Sequence, residues 1–94
     1  MSDTIAEVCL STTDLTGDIG FFTKRLGFRM EMIYPADDPA VVVFSGHGLR
    51  FRLERGTAAP GQLRLLSDAP ESIAEGARHL TAPGGTMVEI DARD

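Results

Sequence analysis

The sequence predicts an α+β fold, one complete β-α-β-β-β unit followed by a shorter half that holds two further strands. Short runs with period-two alternation or β-branched residues recur along the chain, as half-buried strands require. One stretch alone carries a full helical stripe: Leu15, Ile19, Phe22 and Leu26 stand four, three and four residues apart. Glycine- and proline-rich turns separate the runs.

Residues 4–11 read as the first strand. Ile5, Glu7, Cys9 and Ser11 point one way, and Ala6, Val8 and Leu10 point the other, toward a helix. Thr13 is the expected N-cap of that helix, with Asp14 and Asp18 where its dipole favours negative charge. Lys24 and Arg25 close it, and Gly27 is placed for a left-handed cap. Gly17 and Gly20 each cost about 1 kcal/mol against alanine, so packing must hold this helix. Strands follow at 28–34, 40–45 and 49–55, the last two joined by a tight hairpin at Gly46-His47-Gly48. A fifth strand is expected at 62–67, a short helix within 70–80, and a final strand at 86–91. No repeat is visible in the sequence.

Composition narrows the function classes. At 94 residues, 43% apolar and 24% charged, the chain is of ordinary globular make-up and of one-domain length. A net charge of −5 disfavours nucleic acid and anionic membranes as partners. A single cysteine, Cys9, rules out a disulfide within the chain and suits a reducing compartment. Its place on the face turned away from the helix would allow a nucleophile, but no histidine is placed nearby by sequence, so a buried structural thiol is expected. The opening Met1-Ser2-Asp3-Thr4 does not resemble a secretion signal, and no apolar run is long enough to cross a bilayer. The expectation is a cytoplasmic protein. His47 falls in a hairpin turn and His79 near a loop, where solvated histidines are the ordinary reading.

Two motifs carry a resemblance. Thr13-Asp14-Leu15, followed by Phe21-Phe22-Thr23-Lys24-Arg25-Leu26-Gly27-Phe28, resembles the opening of the vicinal oxygen chelate superfamily, which includes glyoxalases, bleomycin-resistance proteins and dioxygenases. Thr81-Ala82-Pro83-Gly84-Gly85-Thr86-Met87-Val88-Glu89-Ile90 resembles its closing segment. The resemblance implies two β-α-β-β-β modules whose curved mixed sheets form a cup around a site. Residues 1–94 then form a single domain, with 1–55 a complete module and 62–91 a truncated second one. The 33 residues from Gln62 to Asp94 fall short of the roughly 50 that a module needs by the lengths of its elements. The second module keeps its first and last strands and loses its middle. Open edges of that kind are usually covered, so a homodimer is expected in which the partner supplies the missing wall.

The resemblance places Glu7, Gln62 and Glu89 at metal-ligand positions, while the fourth position reads Arg50 or Arg52, which cannot coordinate. Such an oxygen set suits Zn²⁺, Ni²⁺, Mn²⁺ or Fe²⁺. Alternation independently puts Glu7, Cys9, Arg50, Arg52, Glu54, Gln62, Arg64 and Glu89 on the faces turned away from the helix. Three functional readings stay open, one of them a non-catalytic or regulatory domain, cut from or related to a longer protein; the other two concern these residues. In one, a divalent metal supports lyase, isomerase or dioxygenase chemistry. In the other, which the arginine substitution favours, no metal is required and Arg50, Arg52 and Arg64 clamp an anionic or carbonyl-bearing small molecule. Ion pairs such as Glu7–Arg52 and Glu89–Arg64 are the non-functional alternative for the same residues.

Overall fold

The computed structural model describes residues 4–93, and their architecture is α+β with two mixed sheets. The first sheet comprises β1 (Val8–Thr12), β2 (Arg29–Tyr34), β3 (Val41–Gly46) and β4 (Leu49–Arg55), in the order β1-β4-β3-β2. β1 lies parallel to β4, and the remaining pairs are antiparallel. The second sheet comprises β5 (Gln62–Ser67), β6 (His79–Thr81) and β7 (Met87–Ala92), in the order β5-β7-β6. Here too the first strand is parallel to the last, and the middle strand is antiparallel to it. The connectivity of the first sheet thus returns in the second with one outer strand missing, a repeat that no residue pattern reveals.

The helix α1 (Leu15–Gly20) is only six residues long and widens into a π-helical segment, Phe21–Arg25. At this junction the Thr23 hydroxyl donates to the Ile19 carbonyl at 2.7 Å, a local bond that competes with the regular helical ladder. The N-cap is Asp14, not Thr13: the Asp14 carboxylate accepts from the Gly17 N–H, while the Thr13 hydroxyl donates to the Gly84 carbonyl. Asp18 is not a surface dipole partner either, because it is fully buried. Gly27 adopts φ 76°, and the Phe28 N–H reaches the Phe22 carbonyl at 2.9 Å, closing the segment as expected.

One core joins both halves of the chain. Phe22 stacks edge-on with Phe28 and Phe51 and lies 5.4 Å from Phe44, centroid to centroid. Leu63, Leu65, Val88 and Ile90 of the second sheet belong to the same buried cluster. The stripe of Leu15, Phe22 and Leu26 is buried, with Ile19 packed beside it. Ala6 and Val8 depart from the expected inward face. The strand begins only at Val8, which is 46% exposed because the helix covers the sheet farther along, at Leu10 and Thr12. The expected helix within 70–80 is two single 3-10 turns, Pro70–Ser72 and Ala74–Gly76, followed by β6. Its weak stripe still packs inward through Ile73, Ala77 and Leu80. The second half therefore retains a third strand that the residues alone do not announce.

The hairpin between β3 and β4 turns through His47 at φ 51° and Gly48 at φ 78°, the left-handed pair of a tight two-residue turn. No helix among the described residues is long and apolar enough to cross a membrane.

Candidate functional site

Each sheet turns one face to the common core; the other carries charged and polar side chains interspersed with apolar ones such as Met32, Tyr34, Leu66 and Met87. On the first sheet the register aligns Cys9, Arg52 and Val43 in one row and sets Ser45 beside Arg50 in the next. Glu7, just before β1, is gripped from β4 by two guanidinium groups. Arg50 Nε donates to Glu7 Oε2 at 2.7 Å and Arg52 Nε to Oε1 at 3.2 Å. Arg50 and then Arg52 hold the Glu7 carboxyl below its ordinary value of 4.5. Arg52 approaches Glu54 at 3.9 Å. Arg50 makes no further hydrogen bond among the described residues, although its charge also acts on the Glu31 carboxylate of the same face.

Two further residues join this face that alternation did not identify. A bulge between Met30 and Met32 inserts Glu31 into β2, and bulges re-aim side chains. Glu31 accepts from the Ser45 hydroxyl and from Arg29 Nε, the latter at 3.0 Å. Ser45, then Arg29, lower its carboxyl. The parity of Val41, Val43 and Ser45 could have flagged Ser45, but nothing in the residues marks the bulge.

Cys9 is exposed, contrary to the buried thiol expected, because it points to the polar face of an edge strand with no layer above it. Beside it lies a cavity of about 530 Å³, bounded by Cys9, Ser11, Glu54 and the 56–61 loop. His47 does not stand free in solvent: its Nε2 meets the Leu26 carbonyl at 2.6 Å and its ring packs edge-on against Phe28.

On the second sheet Arg64 bonds Asp91 at 3.2 Å and approaches Glu89 at 3.5 Å, while Arg78 approaches Asp91 at 3.6 Å. Arg64 shares no partner with Arg50 or Arg52. Gln62 and Glu89 line a separate cavity of about 300 Å³ together with His79. Glu7 belongs to the first sheet. With two arginines on its oxygens it is a poor cation ligand, since a guanidinium already meets its charge. Among the described residues no cluster of three or more His, Cys, Asp or Glu side chains is placed to hold a metal ion.

No protein-family model matches this sequence, and no curated protein matches it. Solved structures do. A lactoylglutathione lyase from Agrobacterium tumefaciens superposes with TM-score 0.72 at 16% identity, over 97% of this chain and 94% of that one. The bleomycin-binding protein of Streptomyces verticillus, solved with copper(II)-bleomycin, matches with TM-score 0.69 at 15% identity over 100% of both chains. The fosfomycin resistance protein FosX from Listeria monocytogenes matches with TM-score 0.68 at 13% identity, over 100% of this chain and 94% of that one. At such identities the likeness is one of fold. The chain has the fold of the vicinal oxygen chelate proteins, the superfamily its two motifs resemble.

Proposed function

We propose that this chain binds an anionic or carbonyl-bearing small molecule on the polar face of its first sheet, with Arg50 and Arg52 as the receiving groups. The observation that carries this reading is the Glu7 clasp. It fixes both guanidinium groups through Nε while the terminal nitrogens of Arg50 make no hydrogen bond among the described residues. A planar fork held in this way suits a carboxylate, phosphonate or phosphate. A cavity of about 530 Å³ farther along the same strands, lined by Cys9, Ser11 and Glu54 and not by the two arginines, is within the range that accommodates small ligands. Structures of the same fold support an anion: one FosX from Listeria monocytogenes was solved with Mn(II) and a dihydroxypropylphosphonic acid.

A second copy of the chain completes the site. Met32 and Tyr34 on β2, and Leu66 and Met87 on the second sheet, are 38, 69, 53 and 52% exposed. Apolar groups on uncovered sheet faces favour association. Arg64 stands on the second sheet and joins Arg50 and Arg52 only if a partner brings that sheet across. The metal-dependent lyase, isomerase or dioxygenase reading needs Glu7, Gln62 and Glu89 on one ion, and the two arginines on Glu7 weigh against it.

Calorimetric titration with phosphonoacetate, succinate and a neutral diol tests the reading. We expect the dianions to bind and the diol not to, with affinity about tenfold weaker (near 1.4 kcal/mol) in both Arg50→Ala and Arg52→Ala. Equal binding of dianions by wild type and both variants overturns it. Light scattering should give a dimer, and a monomer would remove the completed cup.

A further inference from the structure

We propose that the small molecule received by Arg50 and Arg52 is anionic at one end and apolar along its body, and that the body lies over Met32 and Tyr34. The inference rests on the anion reading of the first sheet and names the class of ligand that the same face takes.

The register sets an apolar strip beside the arginines. Met32 stands opposite Val43, and Val43 opposite Arg52, so three neighbouring strands carry one row. In the next row Tyr34 stands opposite Val41, and Val41 opposite Glu54. Ile33 and Val42 turn to the core, so Met32, Tyr34 and Val41 share the outward face with Arg52. Val43 is fully buried within its row, whereas Met32 and Tyr34 are 38 and 69% exposed. Strands lie about 4.7–4.9 Å apart, which puts the Met32 and Arg52 backbones roughly 10 Å apart, a span that an alkyl chain of about eight carbons matches. The arginine stems are themselves apolar and continue the strip toward the guanidinium groups.

Charge fixes which end is anionic. The terminal nitrogens of Arg50 make no hydrogen bond among the described residues, so the head belongs there. Beside the strip Glu54 stands opposite Val41, where it repels a second anionic group. A thioether and a phenol ring adapt to an irregular apolar body. Another copy laid flat on this strip would bury the neighbouring charges of Glu7, Arg50, Arg52 and Glu54, which is costly. A single amphipathic molecule covers the strip and meets a guanidinium with its own charge.

Calorimetric titration with methylphosphonate, octylphosphonate and 1-octanol tests the class, with the methionine methyl signals and the ring of the single tyrosine as a second readout. Octylphosphonate should bind about tenfold or more tighter than methylphosphonate, and 1-octanol should not bind. The double variant Met32→Thr, Tyr34→Thr keeps the strand preference. It should leave methylphosphonate binding unchanged and bring octylphosphonate within about twofold of it, whereas Arg50→Ala should weaken both by about tenfold. Octylphosphonate should shift the signals of Met32 and Tyr34 and spare Met30, which stands opposite the core residue Phe44 on the same strand. Equal affinity of wild type for the two phosphonates overturns the proposal and leaves the anion reading standing, while failure of both to bind overturns the two together. Binding of 1-octanol, or a chain-length preference that survives in the double variant, also overturns it. So does light scattering in which wild type associates and the double variant does not, because a second copy would then cover the strip.

Discussion

The buried carboxylate of Asp18 accepts a hydrogen bond from the backbone N–H of Gly84 at 2.7 Å, joining residues 66 positions apart. Its other oxygen accepts from the Thr12 hydroxyl. The turn before β7 is thereby fastened to the start of α1 and the end of β1, and the two halves of the chain are locked by polar contacts as well as by the shared core. Asp18→Ala leaves the Gly84 N–H without its acceptor and the Thr12 hydroxyl, which still accepts from the Asp14 N–H, with no acceptor for its own proton, each worth about 1–3 kcal/mol. Urea unfolding should show a loss of about 2–6 kcal/mol on that basis. An unchanged midpoint would mean that the halves are held without help from the Asp18 carboxylate.

Burial pushes the Asp18 carboxyl above its ordinary value of 3.8, against the lowering influence of Thr12 and Gly84. A raised folded-state value means the group contributes stability below 3.8 that is lost as pH climbs through the folded value. Asp18→Asn, which cannot ionise, should therefore cost most in acid and less toward neutrality. Stability curves of wild type and variant that run parallel across this range would contradict the assignment.

Glu7 has the opposite sign. Arg50 and Arg52 lower its carboxyl, so its contribution is present above 4.5 and disappears as pH falls through the folded value. Glu7→Gln should weaken the protein at neutral pH and cost nothing in strong acid. A penalty that persists in acid would point to packing by the side chain rather than to its charge.

Two glycines make a matched comparison. A Cβ on Gly84 would overlap the Thr12 hydroxyl oxygen and press on Asp18, so Gly84→Ala should break the same lock as Asp18→Ala. Gly20 sits at φ −63°, ψ −41°, with nothing within 4 Å of its Cβ position. Gly20→Ala should stabilise by about 0.5–1 kcal/mol. Thermal melts of the two variants should move in opposite directions, and a fall in both would show that the helical junction resists alanine.

The residues by themselves determined the first module. The stripe from Leu15 to Leu26, the Gly27 cap, the His47-Gly48 turn and the alternation of Leu49, Phe51 and Leu53 are local signals, and each local preference agrees with its place in the core. Alternation also set Glu7, Arg50 and Arg52 on one face, and their clasp followed. What only the tertiary structure decided depends on contacts distant in sequence. β6 is three residues long and exists because β7 offers a partner edge, which no window around His79 encodes. Asp18 reads as a surface acid at the head of a helix until the Gly84 backbone N–H arrives to donate to its carboxylate. Cys9 reads as a core thiol until the sheet order leaves β1 at an edge. Periodicity reports which side of its own element a residue occupies, whereas burial and partners depend on what the rest of the chain brings to that side.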